Sequence, residues 1–321
     1  MSEVRGRKNV GNGLGSSFSP LSHRLAVLLA GATLPLLFIG GLVTSLGAGL
    51  AVPDWPTTFG YNMFLYPWSK MIGGIFYEHS HRLIASSVGL LTIALALSLW
   101  LQEKRQWLRR LGIAALLLVV AQGVLGGLRV VLLQNTLAIV HACFAQAFFA
   151  LTVSLALFTS AEWRAAARVA AIADGGRLKR LAMITTALIY LQIVFGALLR
   201  HTGERLDAHL LIAALVAIHV ILLLLRLTRT HADRPELLRA GYFLAALLLV
   251  QSLLGALAYF TKFTAMLPGF NGVIVLLTTT HLITGALMLA ASLIVTLRAH
   301  RLSDSTTGPA AVPTLTEQYS L

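Results

Sequence analysis

Four histidines occupy corresponding places in the two halves of this 321-residue chain: His81 and His141 in the first half, His209 and His281 in the second. Each falls within an apolar stretch long enough to cross a bilayer. An ionisable ring in hydrocarbon is costly unless it is paired, so intramembrane residues of this kind mark sites of function. Two neutral imidazoles that face one another across a helical bundle supply two axial ligands to one haem iron. The second nitrogen of each ring is then left for an outer hydrogen bond. The pattern predicts two bis-histidine sites, one per half, with His81, His141, His209 and His281 as metal ligands.

The polar company of these histidines is uneven. Glu78, His79, Ser80, His81 and Arg82 stand together at the start of the second apolar stretch. Residues three apart share a helix face, so Glu78 points with His81 while His79 points elsewhere. A carboxylate one turn from a ligand can relay protons or stabilise charge; the competing reading is an acid favoured by the dipole of a helix start. The second half has Leu206 and Leu210 at the places of Glu78 and Arg82. Arg129 and Arg200 end the third and fifth stretches at the level of the histidines. Together with Arg82 they are candidates for anchoring the propionates of a bound haem; the competing reading is snorkelling to lipid headgroups. His219 lies about 15 Å along the helix from His209. The matching first-half position is Leu91, so His219 reads as structural, and His201 reads as a boundary residue rather than a ligand.

The elements that must place these groups follow from hydropathy. Hydrophobic residues make up 57% of the chain and charged residues 12%, with a mean hydropathy of +0.80. Eight apolar stretches meet the bilayer requirement of about 20 residues, at roughly 24–50, 80–101, 112–133, 137–159, 181–200, 208–226, 240–260 and 273–297. The fold class is therefore an all-α polytopic membrane protein. The formal charge of +13 is a matter of topology: all but Lys70, Arg82, Arg129, Arg200, Arg205 and Lys262 fall on one side when the N-terminal tail is taken as cytoplasmic. Both termini are expected in the cytoplasm, the membrane is expected to be the cell (inner) membrane, and nucleic acid is not needed to explain the charge. The first stretch lacks a small-residue cleavage site and is expected to stay as a helix. Cys143 is the single cysteine and can form no internal disulfide.

The chain also repeats itself. QGVLG at Gln122–Gly126 resembles QSLLG at Gln251–Gly255, at nearly the offset that separates His81 from His209. A four-helix unit is duplicated, and an even number of spans makes the copies parallel. The expected domains are a tail at 1–23, a first four-helix bundle at 24–160, a linker at 161–180, a second bundle at 181–298 and a tail at 299–321. A further Q-x-x-x-G at Gln192–Gly196 fits close helix approach with a glutamine bonding across, or direct cofactor contact.

Together these segments resemble the haem A synthase family over about 24–298. The most specific pieces are GLAVPDWPTTFG (Gly49–Gly60), Glu-x-x-His-Arg (Glu78–Arg82), QGVLGGLRV (Gln122–Val130) and the histidines of the fourth, sixth and eighth stretches. The resemblance implies an enzyme that oxidises a methyl group of haem O to the formyl group of haem A, using oxygen. It implies that His81 and His141 flank the substrate haem with Glu78 as catalytic carboxylate, and that His209 and His281 hold a haem b that passes electrons. It leaves the electron donor open; a haem O synthase is a candidate neighbour, and small-residue helix faces are compatible with a homo-oligomer. Many members carry a cysteine pair flanking the DWP motif, where this chain has Val52 and Thr58, and the Arg that often follows the sixth-stretch histidine is here Leu210. The alternatives are a di-haem electron carrier of the cytochrome b kind, which needs no Glu78, and a transporter built on parallel repeats, which calls for broken helices and a midplane polar site.

Overall fold

A computed structural model describes residues 19–165, 174–264 and 271–303. Residues 1–18 and 304–321 of the tails, the middle of the expected linker at 166–173, and residues 265–270 lie outside the described residues. Eight described helices are long and apolar enough to cross a membrane: α1 (Pro20–Ser45), α2 (Gly74–Gln102), α3 (Gln106–Leu132), α4 (Asn135–Thr159), α6 (Gly175–Thr202), α7 (Leu206–Thr230), α8 (Pro235–Phe263) and α9 (Asn271–Ser303), with a short α5 (Ala161–Ala165) after α4. Most run past the apolar windows because polar residues continue each helix beyond the hydrocarbon. Two ends differ for local reasons. α1 stops at Ser45 rather than near 50 because Gly47 takes a positive φ of 65°. α2 starts at Gly74, which puts Glu78 past the first turn and weakens the helix-start explanation of that acid.

Within the first half α1 packs on α2, α2 on α3, α3 on α4 and α4 back on α1, and α6, α7, α8 and α9 close the same ring in the second. Matching contacts recur: Gly112 of α3 admits Leu99 of α2, and Gly241 of α8 admits Leu227 of α7. The halves meet where α1 and α4 lie against α6 and α9, around Leu37, Phe149, Ala286 and Ala290. Hydrophobic cores of mostly leucine, valine and alanine fill each half. An even number of crossings places Pro20 and Ser303 at one end, the basic end; the other is the histidine end.

At the basic end Glu103, just beyond α2, fastens three elements. Its carboxylate accepts from Arg105 at 2.9 Å and from Arg164 of α5 at 3.0 Å, and its carbonyl accepts from Arg109 at 2.5 Å. Burial alone would raise this carboxyl, but the bonds and charge of Arg105, then the charge of Arg164, outweigh it and hold the group below its ordinary value of 4.5. A carboxyl lowered on folding stabilises above its unfolded-state value, and the stabilisation is lost as pH falls through the folded-state value. Glu103→Gln is expected to cost about 2 kcal/mol at pH 7, less than a fully buried pair because both arginines are partly exposed. The difference in melting temperature from wild type should shrink in detergent as the pH is taken from 7 to well below the ordinary carboxyl value of 4.5; an equal difference at both pH values contradicts this account.

Candidate metal centre

Each histidine of the four comes from the second helix of a helical hairpin and leans on a glycine of the first. A Cβ on Gly40 of α1 would stand 3.0 Å from Cε1 of His81, on Gly126 of α3 3.3 Å from that of His141, on Gly196 of α6 3.2 Å from that of His209, and on Gly255 of α8 3.1 Å from that of His281. Glycine at these places is what allows helix and ring to meet. Three of the glycines end the Q-x-x-x-G motifs. The fourth, Gly40, escaped the sequence reading because Leu36 replaces the glutamine.

The second-half rings His209 and His281 face one another with centroids 6.4 Å apart and planes at 64°. Two imidazoles sharing one metal through bonds of about 2 Å, each ring centre set back by about 1 Å, come to roughly that separation. The Nε2 of His209 is 3.2 Å from Nε2 of Gln192, and the Nε2 of His281 is 3.2 Å from Nε2 of Gln251. Buried Nδ1 atoms of all four rings lack a hydrogen bond of good geometry. This donor set, two neutral nitrogens without carboxylate or thiolate, suits a haem iron. In the first half His81 and His141 lie within electrostatic reach of each other, and Gln122 donates to the main-chain carbonyl of His141 at 3.3 Å.

Above the first pair lies a strap, residues 46–73, for which the short connection after α6 has no room. Glu78, 4% exposed, accepts from the Val52 amide at 2.9 Å and from Arg82 at 2.8 Å. Arg82 also donates to the carbonyls of Val52, Asp54 and Thr57. Its guanidinium is thus spent on the strap. Asp54 turns the segment by accepting from Phe59 and Gly60 amides and the Thr57 hydroxyl. Burial pushes its carboxyl up, but the bonds from Gly60, Thr57 and Phe59 prevail and hold it below the ordinary value. Trp55 seats on Gly127 of α3, next to the glycine under His141. His79 turns outward from His81, 3.1 Å from the Thr58 hydroxyl, with Tyr66 against its ring. Val52 and Thr58, at the places of the family's cysteine pair, are both wholly buried.

The remaining arginines divide. Arg129 packs its guanidinium on Gly49 of the strap, within electrostatic reach of Glu78, His81 and His141. Arg200 of α6 crosses between the halves, donating to the Gly41 carbonyl of α1 at 2.6 Å, to the Ser45 hydroxyl at 2.5 Å and to the Thr278 carbonyl of α9 at 3.4 Å. His201, set aside in the sequence reading, lies within electrostatic reach of Arg129, Arg200 and His141. Its position depends on how the halves dock, which hydropathy does not encode. His219 bonds the Leu215 carbonyl of its own helix at 2.9 Å and needs no further partner. Cys143 is partly buried, its carbonyl accepting from Tyr190.

Among curated proteins, the chain is 30% identical over 186 residues to a protein named heme A synthase of Shouchella clausii (strain KSM-K16), covering 57% of this chain and 60% of that one. It is 29% identical over 184 residues to a protein of the same name from Alkalihalophilus pseudofirmus (strain ATCC BAA-2126 / JCM 17055 / OF4), covering 56% and 60%. The chain thus spans about 60% of the length of the curated relatives it matches. The family model described as cytochrome oxidase assembly protein, COX15-CtaA, matches residues 23–210, from the start of α1 through the strap and the first three of the four histidines. With more than half of its residues inside that match, this polytopic helical chain belongs to the COX15-CtaA family.

Proposed function

We propose that the chain is a membrane haem A synthase that oxidises a methyl group of haem O to the formyl group of haem A. The observation that carries the reading is an asymmetry: both halves pair histidines across glycine-notched hairpins, but among the described residues only the first has a buried carboxylate–guanidinium pair beneath a strap. The relatives named heme A synthase support it.

On this reading the bundle at 24–160 takes the substrate haem between His81 and His141, and the bundle at 181–298 holds a haem b between His209 and His281. Haem b supplies one-electron transfer when bound. The methyl carbon loses two hydrogens and gains one oxygen atom, with dioxygen as the oxidant and reducing equivalents entering through the second half. The chain's own residues do the rest. Glu78 is the only acidic side chain on the buried face of α2, and it holds or moves a proton at its Oε atoms. Arg82 fixes Glu78 and the strap in one arrangement, which makes it a positioning residue. The strap, keyed by Trp55 into Gly127, keeps water from the reacting edge. Arg129 and Arg200 are the guanidinium groups left to meet propionates, Arg129 over the first site and Arg200 between the two. The basic end faces the cytoplasm of a cell with the chain in its inner membrane, by the positive-inside distribution.

The test is chromatography of haems extracted from cells that express the full chain with a source of haem O. Haem A is expected, and is expected to disappear in Glu78→Gln. Unchanged haem O with a retained low-spin haem b would instead assign the chain as an electron carrier.

A further inference from the structure

The four glycine–histidine contacts share a second feature. In every hairpin Nδ1 of the ring lies 3.5–3.7 Å from where a Cβ on the glycine would stand, which brings the ring within reach of the main-chain carbonyl of the residue four before: Leu36 for His81, Gln122 for His141, Gln192 for His209 and Gln251 for His281. A helical carbonyl uses one lone pair on the amide four residues later and keeps a second free. The side chain that normally covers that free lone pair belongs to the residue four positions on, which is why Ser and Thr hydroxyls bond back to it. A glycine there leaves it open to a neighbour. Glycines without this duty are different: Gly31 in α1, Gly89 in α2 and Gly123 in α3 have nothing within 4 Å of where a Cβ would stand.

The side chain at the carbonyl position varies while the carbonyl does not. Gln192 and Gln251 approach Nε2 of their histidines, Gln122 bonds a main-chain oxygen instead, and Leu36 has no amide. The element common to the four is the exposed carbonyl beside a glycine, not the glutamine. Nδ1 is buried in all four rings with no bond of good geometry, so each ring has one nitrogen in need of an acceptor and one acceptor within reach.

We infer that Gly40, Gly126, Gly196 and Gly255 are positioning residues: each opens the carbonyl of Leu36, Gln122, Gln192 or Gln251 to the Nδ1–H of its histidine, which sets the tautomer, aims Nε2 at the iron and fixes the plane of the ring. This rests on the haem-binding reading given above. An acceptor on the outer nitrogen of a metal-bound imidazole makes the ligand more basic and restrains its rotation.

The experiment uses the full chain purified with its haem, as wild type, Gly196→Ala, Gly255→Ala and, as control, Gly123→Ala. Haem retention, the low-spin electron paramagnetic resonance g-values and the midpoint potential are read together. An added Cβ at 3.1–3.2 Å from Cε1 should push the ring off the carbonyl, lowering haem affinity on the order of 10- to 100-fold. The g-values should shift and the potential rise, because a less basic ligand favours the reduced iron, while Gly123→Ala matches wild type. A merely structural role for the glycines would lower stability and leave the g-values of the retained haem unmoved. Unchanged g-values and potential in both variants overturn the inference. If neither variant folds, electron–nuclear double resonance of wild type in D2O decides: a hydrogen-bonded exchangeable proton on Nδ1 is expected, and its absence overturns the inference. A wild type with no bis-histidine low-spin signal defeats the haem-binding reading itself, a distinct result.

Discussion

Glu78→Gln is expected to abolish the proposed haem A formation and to leave the low-spin spectrum of a haem held between His209 and His281 unchanged. The substitution preserves shape and keeps one of the two acceptors: the Val52 amide and Arg82 donate to different carboxylate oxygens, so the amide oxygen retains one of these bonds while its NH2 group faces the other donor, and the remaining bonds of Arg82 to the Val52, Asp54 and Thr57 carbonyls still hold the strap. What it removes is the proton-holding carboxylate and the neutralisation of Arg82. Loss of general acid–base work costs about 10²- to 10⁴-fold in rate. Glu78→Ala is more drastic, because it strands a 10%-exposed guanidinium and a buried amide together, at about 3–5 kcal/mol. Single-turnover production of haem A from bound haem O separates the two, since Glu78→Gln should bind substrate and fail to convert it. Wild-type conversion by Glu78→Gln would refute the catalytic assignment.

His281→Ala has an equally large effect of a different kind. It removes one of the two rings that stand 6.4 Å apart and strips Gln251 of its partner. Because loss of an outer hydrogen-bond partner alone weakens metal binding by about 10- to 100-fold, loss of the ligand should exceed that and leave the second half without a low-spin haem. Absorption and haem content of the purified chain report it directly. The first half, with its separate hairpins, should still take up substrate haem, so bound haem O without conversion is the expected pairing of results. A full low-spin signal from His281→Ala would show that the iron is held elsewhere.

Much of this was legible before any coordinates, and for physical reasons. Hydrocarbon tolerates so few ionisable groups that His81, His141, His209 and His281 stood out by position alone. Eight spans followed from run length because each must satisfy its own backbone within the bilayer. The boundaries were less legible: α2 begins six residues before its apolar window because Gly74 packs on Ala48 and Ala51 of the strap, a tertiary contact. The Gln and Gly motif was visible in three hairpins, but Gly40 was not, since its working partner is the carbonyl of Leu36 and a carbonyl leaves no mark in the sequence. Arg82 shows the same blindness: a candidate propionate anchor by sequence, it spends hydrogen bonds on backbone oxygens of Val52, Asp54 and Thr57 that only the fold brings within reach.

The crossing made by Arg200 bears on the history of the two halves. A duplicated unit begins as a pair of interchangeable copies, each sound by itself. Here a permanent positive charge on the second half finds its two shorter bonds on the first, at Gly41 and Ser45, and only a longer one in its own half, at the Thr278 carbonyl. Cut apart, the second half would turn a cation with that single remaining acceptor toward acyl chains. A split version of this chain should therefore survive only when its two pieces are made together.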